Sequence, residues 1–301
     1  MLIATSPNNL FIASAGKYGF VQVTYFDSMK LVRELEINYG EAIHISFFPD
    51  SQHILVCAHD RWHQKPDTLE VFDVLTGSCV SICRLDDVDT PLVSHNGQSV
   101  FFSFGWRSSL AQWDWQTSNI PTILFDGRVF KRNEYFIRAL SLNGNNLIVT
   151  KYIALDWPKE QEYTDISHLE IWDVKSGTVV QSFPGYQRAA SLPDNRLILA
   201  VNAKDGQLRI LNIENEQIER ELAHSIHITK HPNSGQLFVT PDGHYAIANT
   251  DILDLQTWKL LPELPWRDYD KSTITADSRY IVYHPGNERW DIEKGKHIVV
   301  K

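Results

Sequence analysis

One short phrase recurs through the chain and limits what it can fold into. Residues 169–177 read LEIWDVKSG: apolar and polar positions alternate up to Trp172 and Asp173, then break at Lys175, Ser176 and Gly177. That pattern predicts a strand ending in a tight turn. The phrase returns at Phe26-Asp27, Phe72-Asp73, Trp113-Asp114, Leu211-Asn212, Leu253-Asp254 and Trp290-Asp291, each followed by a polar turn. Seven copies in 301 residues place one about every 43 residues, the period of a unit with four strands.

A second phrase keeps step with the first. A polar turn comes before each copy, for example Pro49-Asp50-Ser51, His95-Asn96-Gly97, Pro193-Asp194-Asn195 and Pro241-Asp242-Gly243. Asn, Asp and Gly suit such turns because they tolerate the left-handed backbone of a tight hairpin. The runs that follow, such as residues 54–57, 100–104 and 197–201, are almost wholly apolar. Such runs suit strands buried on both faces. Two independent phrases in register, seven times over, predict an all-β, seven-bladed β-propeller of four-stranded antiparallel blades in a single domain over residues 1–301.

With these phrases the chain resembles the WD-repeat family of seven-bladed propellers over its whole length. Blade five carries the resemblance furthest, in SLPDNRLILAVNAKDGQLRILN at residues 191–212. No repeat has the Gly-His pair that the family places before its first strand, so the family's His–Asp–Ser/Thr–Trp hydrogen-bond tetrad is expected to be missing or partial. The blades are expected at residues 2–37, 43–85, 91–125, 137–183, 188–222, 236–264 and 272–301. The register puts the first segment innermost in blade one and residues 296–300 outermost in blade seven. The ring is therefore expected to close by packing, without strand exchange between the termini.

Composition excludes several classes of function. A net charge of −9 and a pI near 5.7 disfavour a nucleic-acid partner, which wants clustered Lys and Arg. The short basic run of Arg128, Lys131 and Arg132 reads as a solvated loop. Three cysteines, one of them in an apolar strand, fit buried thiols in a reducing cytoplasm. The first residues, MLIATSPNNLF, lack a basic region and are not read as a signal peptide. No apolar run approaches the roughly 18 residues of a membrane span. A monomer is expected.

Insertions point to the functional face. From hairpin turn to Trp-Asp equivalent is 18 positions in blades three and five, but 23 in blade two and 30 in blade four. The excess falls at residues 59–68 and 151–168, between the second and third strands. In the family such loops share one rim with the connections between blades. That rim gathers Trp62, Trp106, Trp157, Trp266, Tyr39, Tyr163, Tyr186 and Tyr269, interleaved with acids such as Asp60, Asp67, Asp89 and Asp156. Trp and Tyr dominate binding hot spots, so the expected partner-binding set is Trp62, Trp106, Trp157, Trp266, Tyr163, Tyr186, Tyr269, Asp60 and Asp156. Trp113, Trp172 and Trp290 belong to the repeat and read as structural.

The sequence singles out no catalytic residue, metal site or cofactor. His224, His227 and His231 lie in an extended stretch, where about 3.3 Å per residue puts the last two roughly 13 Å apart, too far to share one ion. His59, Asp60, His63 and Asp67 read as solvated loop groups. The favoured function is a non-catalytic scaffold for a protein or peptide with a basic surface. The alternatives are an enzyme, or a metal or small-ligand binder, with its site in the central cavity of the same face, and a neutralising partner of a toxin or effector.

Overall fold

The computed structural model describes residues 2–16, 19–38, 40–60, 65–127, 133–141, 143–153, 167–194, 196–225, 237–248, 251–261, 272–283 and 287–300. These residues form seven four-stranded antiparallel sheets, each built from four consecutive strands. The sheets span residues 2–36, 41–85, 89–126, 133–184, 186–225, 237–260 and 272–299. The chain is a seven-bladed β-propeller, with no helix among the described residues.

The inner strands of blades two to five start two to four residues before the expected positions, and the cause is local. Each pairs with its neighbour through a register shift. Ile43, Arg138 and Gln187 are the extra residues at three of these shifts. A bulge of this kind breaks the two-residue alternation, so the pattern can be read only from beyond it.

The core lies between blades. One cluster joins Phe11, Ala13 and Val23 of blade one to Ile45, Ile54 and Val56 of blade two. The next joins Leu55, Cys57 and Leu69 of blade two to Val100, Phe102 and Trp113 of blade three. Both faces of the second strand of blade two, His53–His59, are thus buried, which is why the second strands read as unbroken apolar runs.

The turns repeat a device of their own. A Ser or Thr ends the inner strand and donates its hydroxyl to an Asn or Asp two residues on. The pairs are Ser6 to Asn8, Ser94 to Asn96, Ser141 to Asn143, Thr240 to Asp242 and Thr275 to Asp277, at 2.6–2.7 Å. The same hydroxyl accepts the amide that opens the second strand, as in Phe11 N to Ser6 Oγ at 2.9 Å. Turns of adjacent blades also bond: Asn8 N donates to Ser51 Oγ, and Asp242 N to Ser278 Oγ, both at 3.0 Å.

The ring closes as expected. The strand Lys296–Val299 pairs with Glu288–Asp291, within blade seven. Closure comes from packing of Ile3, Ile12 and Phe26 on Val282, from Thr5 Oγ1 donating to the Ile274 carbonyl at 2.8 Å, and from Arg289. The Arg289 guanidinium lies 3.6 Å from the centroid of the Phe26 ring and donates to the Phe26 carbonyl. Arg289→Ala is expected to cost about 2 kcal/mol of unfolding free energy, from a desolvated cation–π contact and a buried hydrogen bond. Denaturant titration measures it, and a loss under about 0.5 kcal/mol would show that the seam does not rely on this residue.

Candidate functional site

Antiparallel strands sort the connections onto two rims. Links from second to third strand and from blade to blade fall on one rim, the loop rim. First-to-second and third-to-fourth turns fall on the other, the turn rim. Both insertions join second to third strands, after His53–His59 and after Asn146–Ile153, so both open on the loop rim.

The described part of the loop rim centres on the short loop between Val100–Phe104 and Ser109–Trp113 in blade three. Gly105, Trp106 and Arg107 all have φ near 60°, which costs a side-chain-bearing residue roughly 1–2 kcal/mol each. Arg107 offsets that cost. Its Nε donates to the Asp89 carboxylate, its Nη1 stands 3.6 Å from Glu134, and its guanidinium lies 4.7 Å from the Phe136 ring centroid. Its carbonyl accepts the Tyr135 amide at 2.7 Å. The loop is tied at both ends and throws Trp106 outward, 78% exposed.

Behind the loop sits a cationic seam between blades four and five. Arg138, at its bulge, packs 5.1 Å from the same Phe136 ring and donates to Thr150 Oγ1 at 2.9 Å. Thr150 in turn donates to the Gln187 carbonyl at 2.8 Å, and Tyr152 Oη reaches that carbonyl at 3.3 Å. Arg188 is 2% exposed. Burial, with Arg138 beside it, brings its guanidinium down to about 10. These groups stiffen the scaffold beneath Trp106.

Blade two supplies a second fixed pair. His59 Nδ1 and Asp67 Oδ1 are 2.7 Å apart, and Asp67 Oδ2 accepts the Val88 amide at 2.9 Å. The carboxylate pins the start of blade three and orients the imidazole. Lys65 N donates to Asp60 Oδ2 at 3.2 Å, so Asp60 draws the two ends of the insertion together. No group of three or more His, Cys, Asp or Glu among the described residues is placed to hold a metal ion.

Trp106 stands on the rim as the sequence predicts. Tyr186 does not: it is 7% exposed, inside the core between blades four and five with Phe183 and Ala189. It opens an inner strand, and inner-strand side chains face neighbouring blades. Trp62, Trp157, Trp266, Tyr163, Tyr269 and Asp156 lie outside the described residues, as do Tyr39, His63, His227 and His231. Asp67 and Asp89, read as part of an acidic lining, are committed to His59 and Arg107. Trp113, Trp172 and Trp290 are buried. Trp113 Nε1 donates to the Ser118 carbonyl and Trp172 Nε1 to Glu170, so neither tryptophan bonds a Ser or Thr hydroxyl as in the tetrad.

Compared with known proteins, the chain matches no family model and no curated relative. Fold and rim define its class: a seven-bladed β-propeller, an architecture that commonly serves as a binding scaffold.

Proposed function

We propose that this propeller is a non-catalytic scaffold whose loop rim binds a protein or peptide, with Trp106 as an anchor. The observation that carries the reading is a tryptophan 78% exposed on a left-handed loop that Arg107 holds in place. An apolar ring kept in water on a strained, tethered backbone is costly unless a partner covers it. Tryptophan on a rigid support loses little entropy on binding. Asp86 and Asp87 lead into the strand behind this loop, and the net charge is −9. Both favour a partner with a basic surface, drawn in by long-range attraction. The Trp-Asp phrases support a divergent WD-repeat chain, and its unpaired cysteines support a cytoplasmic setting.

The test is affinity capture from native host extract, then calorimetry with the captured protein. Trp106→Ala is expected to weaken binding by about 2 kcal/mol, roughly thirtyfold, with an unchanged melting temperature. Equal affinity of the two proteins, or no retained partner, would overturn the reading.

A further inference from the structure

The turn rim, opposite Trp106, carries three cavities that share lining residues in sequence and together trace a trough. It starts at the propeller axis as a funnel of about 390 Å³ among Pro7, Phe47, Pro49, Pro241 and Ile274. Ser94 and His95 line this funnel and also a second cavity of about 540 Å³ between the turns of blades three and four. Gln112, Gly144, Asn145 and Val174 line that cavity and a third, of about 650 Å³, which ends at Thr122 and Leu124 on the outer strand of blade three. The trough therefore crosses one whole blade. Four strands about 4.8 Å apart make that roughly 15 Å, the length of four to five extended residues.

Its chemistry changes along its course. The axial end is apolar and rimmed by proline. The middle is lined by amides: Gln98, Gln112, Gln116 and Asn145. There Ser99 Oγ and Gln112 Nε2 both donate to Asp114 Oδ1, at 2.5 and 2.9 Å. Asp173 stands at the outer end, where bonds from Ser176 hold its carboxyl below the usual range. Around the trough, the described turns of this rim carry nine Asp and Glu against five Lys and Arg. Asp50, Asp114, Asp242 and Asp277 are among the acids.

We infer that this trough is a second docking surface, for an extended, Lys- or Arg-bearing segment of a partner protein with an apolar side chain seated in the axial funnel. Side-chain amides suit an extended backbone, which presents an N–H and a C=O at every residue. The funnel takes one apolar group out of water. Asp114 and Asp173 set the sign of the charge and favour entry of a basic segment. An acidic segment would meet Asp114 in the middle and Asp173 at the outer end. This surface stands apart from the loop rim and does not depend on Trp106.

Twelve-residue peptides displayed on phage and selected on the purified full-length protein test the inference. Enriched peptides are expected to be net basic around an apolar residue. Their affinities are then read by fluorescence anisotropy. Asn145→Trp fills the trough while keeping the Asn145 backbone bonds to Asn143 and Val174, and is expected to weaken binding at least about tenfold. Asp114→Asn with Asp173→Asn is expected to weaken it about two- to fivefold and flatten its salt dependence. Lys175→Glu, at the outer end, is expected to strengthen it by a similar factor. Trp106→Ala leaves it unchanged, which separates this surface from the loop rim. Thermal melting confirms that each variant is folded. Failure to enrich any peptide, enrichment of neutral or acidic ones, or affinity indifferent to both Asn145→Trp and Lys175→Glu would overturn the inference.

Discussion

Trp113→Ala is expected to lower the unfolding free energy by about 3–5 kcal/mol, the cost of removing a large ring from a packed core. Trp113 is 0% exposed and packs in the seam between blades two and three with Phe102 and Cys57. Its Nε1 donates to the Ser118 carbonyl at 2.6 Å, closing the turn that ends its own strand. The substitution therefore opens a cavity between two blades and leaves a carbonyl with one donor fewer. Urea titration measures the loss. Trp106→Ala in the same assay is expected to move stability by no more than about 0.5 kcal/mol, because its ring already lies in water. A loss below about 2 kcal/mol at Trp113 would mean that the seam collapses into the space.

The second large effect is a dependence on pH. His44, on the inner strand of blade two, is brought down from 6.5 to about 4 by burial, against the pull of Asp89. Its Nε2 is sealed from solvent and has no hydrogen-bond partner among the described residues. Above pH 6.5 the imidazole is neutral in folded and unfolded chains alike, and contributes nothing to pH dependence. Between about 6.5 and about 4 the unfolded chain takes up a proton that the folded chain refuses. Stability therefore falls as pH falls through that window, by about 3 kcal/mol at most. Carboxylates such as Asp73 and Asp254, whose pKa values turn hydrogen bonds lower, weaken the fold only at more acidic pH. Denaturant titrations through the window measure the slope, and His44→Leu is expected to flatten it. An unchanged slope in that variant would assign the effect to another group.

Much of this architecture could be read directly from the chain. The Trp-Asp phrases mark the ends of third strands, and the Asn-, Asp- and Gly-bearing turns mark the hairpins before second strands. Both signals are local, since they state what a few consecutive residues can do with their backbone. The Ser/Thr-x-Asn/Asp signal at Ser6, Ser94, Ser141, Thr240 and Thr275 is equally local, and it would have placed the ends of five inner strands. The inner-strand starts were misplaced because a bulge spoils alternation without leaving a fixed residue type behind.

The site divides in the same way. Trp106 stands out in the sequence because its loop falls between two strands of a repeat that has no need of an aromatic there. Tyr186 looks much the same on paper, an aromatic between two blades, but the chain turns it inward.

By itself, then, the sequence determined the number of blades, their strand order, the rim on which the insertions emerge and a closure without exchanged strands. Each follows from periodicity and from turn chemistry within a few residues. Only the tertiary structure decided that Arg107 ties down the Trp106 loop, that Arg188 is buried with Arg138 near it, and that three cavities share lining residues along one blade. Those features depend on side chains brought together from different blades, from Asp89 to Arg107 and Glu134, or from His95 to Asn145 and Val174. Distance and burial between residues so far apart along the chain arise only once the ring has closed.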